Sequence, residues 1–96
     1  MPIEPEGWHM DAGPPSWDPK AQTFSFLLHK QGCQSVACVV GIDVLERVVH
    51  LHDLSELVLG RVFDAHRQML ELRAAQKLNA GLLDANGTVL LGPEDI

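Results

Sequence analysis

Tyrosine is absent from this 96-residue chain, and aromatic residues of every kind make up only 5% of it. A common acid–base and stacking group is therefore missing. Basic residues are also scarce: seven Lys and Arg stand against thirteen Asp and Glu, a formal net charge of −6. A negative field repels phosphate backbones, which argues against nonspecific nucleic-acid binding. The basic residues Lys20, Lys30, Arg47, Arg61, Arg67, Arg73 and Lys77 form no cluster along the chain. Two cysteines are too few for a disulfide scaffold, and the four residues between Cys33 and Cys38 do not match the usual two-residue spacing of zinc and redox motifs. No run approaches the ~20 apolar residues of a membrane span. The start, Met1-Pro2-Ile3-Glu4-Pro5-Glu6, lacks the basic and apolar stretches of a signal peptide. The expectation is a cytoplasmic protein with reduced thiols, no cofactor, no metal and no membrane contact. No Ser-His-Asp order, glycine-rich phosphate loop or paired-carboxylate motif can be named.

What is present is a globular composition, with 46% hydrophobic residues. The length fits one domain that buries roughly 60–70% of its unfolded surface. Residues 1–20 hold five of the six prolines and read as a proline-rich arm without regular structure. Trp8 and Trp17 interrupt it, either to pack back onto the domain or to grip a partner. Residues 21–96 read as a single domain.

Within that domain, Phe24, Phe26 and Leu28 alternate with Thr23, Ser25 and His29, the period-two pattern of a half-buried strand. Val36, Cys38, Val40 and Ile42 repeat it after the turn signal Lys30-Gln31-Gly32-Cys33-Gln34. Setting Phe26 opposite Cys38 brings both apolar sets to one face, with Phe24 near Val40 and Leu28 near Val36. Asp43 and Glu46 resemble a capping box and predict a short helix to about Leu51. Asp53 and Glu56 repeat the signal, with Ser55 as a competing cap, ahead of a long helix to about Asn79. Gly81 supplies its stop. Gly60 inside that helix marks a bend, a close contact or the true helix start. Leu82–Ala85 and Thr88–Leu91 flank Asn86-Gly87, which predicts a second hairpin with a type I′ turn. Pro93 ends that strand. The expected fold is two-layer α+β: an antiparallel sheet from two β-hairpins packed on one long and one short helix, in the order ββααββ.

The expected core comprises Phe24, Phe26, Leu28, Val36, Cys38, Val40, Val62, Met69, Leu72, Leu83 and Leu90. Cys38 reads as inert and Cys33 as accessible. His50 and His52 fit a helix C-terminus better than a metal edge. The long helix carries two apolar stripes. Val58, Val62, Ala65, Met69 and Leu72 are assigned to the sheet; Leu59, Phe63, His66 and Leu70 lie about 100° further round. One stripe suffices for a core, so Leu59, Phe63, His66 and Leu70, with Trp8, form the candidate interface of a homodimer. Arg61, Arg67, Arg73 and Lys77 point in several directions and read as solvating charges, some paired with Asp64 or Glu71.

From Trp17 onward, about 80 of the 96 residues resemble a family of small bacterial proteins catalogued as domain of unknown function 1488. The matching features are Trp17-Asp18, Phe24 and Phe26, Gly32, Cys38, Asp43-Val44-Leu45-Glu46 and Phe63-Asp64-Ala65-His66-Arg67. The ending Asp84–Leu91 followed by Glu94-Asp95-Ile96 belongs with them. The proline arm is longer than the family's pattern. The resemblance implies a small α+β fold and brings no established activity, so no functional residue carries over. Function is expected to be that of a noncatalytic interaction or regulatory protein, a homodimer with room for another protein partner. The alternatives are a small enzyme or redox protein using Cys33 or the histidines, and a nucleic-acid binder.

Overall fold

The computed structural model describes residues 7–11, 13–52 and 54–95. Pro2 and Pro5 of the arm, Asp53 of the second expected capping signal and the terminal Ile96 lie outside the described residues. The chain runs β1 (His9–Met10), β2 (Ser16–Asp18), β3 (Thr23–His29), β4 (Val36–Gly41), α1 (Ile42–Val49), α2 (Glu56–Ala65), α3 (Arg67–Asn79) and β5 (Val89–Leu91), then a 3₁₀ turn over Pro93–Asp95. This is a mixed α+β fold: one open sheet of five strands with three α-helices among the described residues.

The β3–β4 hairpin follows from its alternation. Phe24 pairs with Val40, Phe26 with Cys38 and Leu28 with Val36, the register expected from the apolar pattern. A one-residue slip would turn Phe24, Phe26 and Leu28 to the opposite face, so burial selects this pairing. Leu28, Cys38 and Val40 are fully buried.

Residues 9–10 and 16–18 were expected to be irregular and are strands. Both pair antiparallel with β3, His9 with His29 and Trp17 with Phe24. Proline is tolerated because Pro14 and Pro15 fall between the two strands. The Trp17 ring centroid lies 4.8 Å from that of Phe24 with the rings tilted by 44°, and Trp8, Met10 and Trp17 all pack against the core.

The helices depart from expectation at three places. Helix α1 starts at Ile42, so Asp43 sits in the first turn and is not the cap. Strand β4 runs straight into the helix, and the Ile42 N–H donates to the Gln22 carbonyl instead. Ser55 caps α2, accepting from the Val58 N–H. The long helix breaks at His66, not at Gly60. His66 has φ −117° and ψ 19°, and its Nδ1 approaches the Val62 carbonyl at 2.8 Å. Gly60 needs no special geometry, since a Cβ there would meet nothing within 4 Å.

The two helical stripes are exchanged relative to the sequence reading. Leu59, Phe63 and Leu70 are buried, with Ala74 and Ala75. Val58 and Leu72 are exposed, and Val62 and Met69 only partly buried. The reason lies in the sheet. Phe63 packs 5.6 Å from Phe24 and 5.7 Å from Phe26, and a phenylalanine fills that space where Val62 would leave a void.

The second hairpin does not form. Strand β5 lies parallel to β4, Cys38 beside Val89 and Val40 beside Leu91, so the sheet is mixed rather than antiparallel. The Asn86-Gly87 turn survives, with Gly87 at φ +77°, but Asn86 does not take the positive φ of type I′. The Asp84 carboxylate accepts from the Asn86 and Thr88 N–H groups, drawing the turn inward on itself. Val89 and Leu91 are buried, whereas the expected core residues Leu83 and Leu90 are exposed.

Candidate functional site

Strand β1 holds the chemistry-bearing part of the surface. Its two residues pair with the end of β3, and the chain then leaves the sheet before returning as β2. Side chains of α3 tie down the excursion. The Arg67 guanidinium donates to the Asp11 carbonyl at 2.9 Å and the Gly13 carbonyl at 2.6 Å, while Glu71 accepts from the Met10 N–H at 2.7 Å. Arg67 also pairs with Asp64 and lies 5.3 Å from the Phe63 ring centroid. Arg67 was expected to be one of several solvating charges on the helix, some paired with Asp64 or Glu71, and its pair with Asp64 is present. It also supplies donors to carbonyls where the N-terminal segment leaves the ladder.

A groove of about 690 Å³ runs between β1 and α3. Trp8, Met69 and Leu72 line it, with His9, Glu71 and Arg73. Lys30 Nζ lies 5.8 Å from the Trp8 ring centroid, a cation–π distance. Leu72 is 41% exposed, and Leu57 on α2 is 67% exposed. A second groove of about 640 Å³ lies where Pro15 and Trp17 meet Leu57, Gly60, Arg61 and Asp64 of α2.

A polar line gathers at the hairpin end. Ser35 Oγ is 2.7 Å from His29 Nδ1, and His29 Nε2 is 2.6 Å from Asp11 Oδ1. The second contact does not have the geometry of an N–H hydrogen bond. Nε2 is nonetheless shielded from solvent, with the Asp11 carboxylate facing it. The His9 ring centroid is 6.0 Å from that of His29.

The cysteines divide as expected. Cys33 is exposed and Cys38 buried, both as free thiols. Burial pushes the Cys38 thiol up to about 12, which keeps it protonated and unreactive. His50 and His52 are exposed beyond α1, near Arg47 and Pro93. Among the described residues, no group of three or more His, Cys, Asp or Glu is arranged to hold a metal ion, and no helix is long and apolar enough to cross a membrane.

Of the candidate interface residues, Leu59, Phe63 and Leu70 are 2% exposed or less and belong to the chain's own core. They cannot present a surface. His66 sits half-buried at the helix break, and Trp8 lies half-buried in the groove. The sequence reading brought neither Met69 and Leu72 to the surface nor Asp11, His29 and Ser35 together. Part of the second group was accessible: once Leu28 faces Val36, the next pair across the turn is His29 and Ser35. Nothing in the sequence placed Asp11 beside them.

Residues 11–91 match the family described as protein of unknown function (DUF1488). The chain belongs to that family. A crystal structure of a DUF1488 protein of unknown function from Shewanella loihica PV-4 shares the fold, with a TM-score of 0.79 at 19% identity. The alignment covers 90% of this chain and 92% of that one. No curated protein matches the sequence. DUF1488 membership thus accounts for the architecture and leaves the activity to be argued from the site.

Proposed function

We propose that this protein is a cytoplasmic interaction module, noncatalytic at the groove, that works as a homodimer through the outer face of α3. The observation that carries the reading is the apolar groove formed by Trp8, Met69 and Leu72 beside a 41% exposed Leu72. A tryptophan and a methionine in a concave patch are typical anchors for a partner side chain. Charge favours a second copy as occupant. Glu71 and Arg73 flank Leu72 on opposite sides, so a two-fold contact that runs the two α3 helices parallel through Leu72 sets Glu71 of one copy against Arg73 of the other. This interface replaces the buried stripe of Leu59, Phe63 and Leu70.

Light scattering coupled to size exclusion tests it. The chain of 10.6 kDa is expected to elute at about twice that mass at micromolar concentration. Leu72→Glu is expected to give a folded monomer. A wild-type monomer at tens of micromolar defeats the reading, as does a Leu72→Glu variant that stays dimeric.

A further inference from the structure

The hairpin end carries a second property, independent of the groove. Asp11, His29 and Ser35 come from β1's exit, the end of β3 and the approach to β4, and they meet in the chain order Asp–His–Ser. With its hydrogen on Nε2, His29 turns that hydrogen toward the Asp11 side and leaves the Nδ1 lone pair facing Ser35. The Ser35 hydroxyl then donates to Nδ1 over 2.7 Å. A serine hydroxyl is a weak nucleophile until a base within hydrogen-bond reach takes its proton, and that distance meets the requirement. The Asp11 carboxylate lies 2.6 Å from Nε2, on the side of the ring away from Ser35. Ser35 is exposed, so an electrophile can approach the oxygen.

We propose that Ser35 is a base-activated nucleophile that accepts an acyl group from small activated esters. Ser35 Oγ attacks the acyl carbon while its proton passes to His29 Nδ1. The bond to the leaving alcohol breaks, and that alkoxide takes the proton back from His29. Water, deprotonated by the same nitrogen, then releases the acid and restores the hydroxyl. The sum is ester plus water to acid plus alcohol. The site is open to water, so the expected gain is that of general-base help alone, about 10²–10⁴-fold.

The test uses the full chain with Cys33→Ala, to remove the neighbouring exposed thiol, and an alkyl fluorophosphonate as probe. The Oγ–P bond forms, the P–F bond breaks, fluoride leaves and the proton passes through His29 to water. Peptide mass spectrometry is expected to place the adduct on Ser35, about 100-fold faster than on the exposed Ser16 and Ser55 of the same molecule. That internal comparison needs no further variant. His29→Gln should remove the advantage, and Asp11→Asn should reduce it less. Labelling spread evenly over the three serines overturns the proposal, as does a Ser35 rate unchanged in a folded His29→Gln protein.

Discussion

The β3–β4 hairpin and the C-terminal segment both read as hairpins, yet only the first became one. In residues 23–29 and again in 35–40 every second residue is apolar and most of its neighbours are polar or small, so one register buries the whole set. In residues 82–91, Leu82-Leu83 and Val89-Leu90-Leu91 are apolar without alternation. Such a run names no inward face and no partner strand. The segment therefore takes its orientation from outside itself, lying parallel to β4 after a crossover through the helices. Parity is encoded by alternation, and where alternation is missing the turn residues alone do not decide pairing.

The largest contrast is chemical. Native alkylation is expected to label one thiol per chain quickly, at Cys33, and to spare Cys38 until the protein unfolds. Its raised pKa also has a stability signature. Between pH 9 and about 12 the unfolded thiol loses its proton while the folded one keeps it, so stability falls as pH rises through that window. Two fast thiols at neutral pH would show the hairpin core to be open.

Phe26→Ala comes next, with an expected loss of about 3–5 kcal/mol in urea denaturation. An unchanged midpoint would remove Phe26 from the core. The C-terminal parity can be broken directly by a matched pair. Leu91→Ala is expected to cost about 2–5 kcal/mol and Leu90→Ala about 1 kcal/mol or less, because Leu91 is 4% exposed and Leu90 49%. The reverse order would restore the second hairpin.

A smaller effect tests what holds β5 in place. Lys77 Nζ donates to the Leu90 carbonyl at 2.6 Å and to Asp95 at 2.9 Å, and Asp95 also accepts from the Gly92 N–H. Burial pulls the Asp95 carboxyl upward, but the Gly92 N–H and Lys77 outweigh it and hold it below its ordinary value. The resulting stability is present above the unfolded carboxylate pKa and is lost as pH falls through the lower folded one. Lys77→Met should cost about 1–2 kcal/mol near neutral pH and flatten the acid limb of stability against pH. Smallest is Gly60→Ala, expected to raise stability by about 0.5–1 kcal/mol, since the position is helical and open. A loss there would mean a hidden close contact on α2.

The polar line at the hairpin end was half legible. Its His29–Ser35 side follows from the strand register, whereas Asp11 arrives from a segment whose pairing no local pattern announced. Trp8 could be named as a surface aromatic, but its neighbours Met69 and Leu72 could not, because they belong to the stripe assigned inward.

The sequence by itself determined the family, the α+β class, the β3–β4 register and the fates of the two cysteines. Each of these rests on alternation or on motif residues close together in the chain. Tertiary structure alone decided the direction of β5, the strands at residues 9–10 and 16–18, and which helical stripe turned inward. On α2 and α3 both stripes are apolar enough to form a core, so hydrophobicity could not choose between them. The choice fell to shape: Phe63 fits between Phe24 and Phe26, and those rings are brought to it only when the distant sheet has formed.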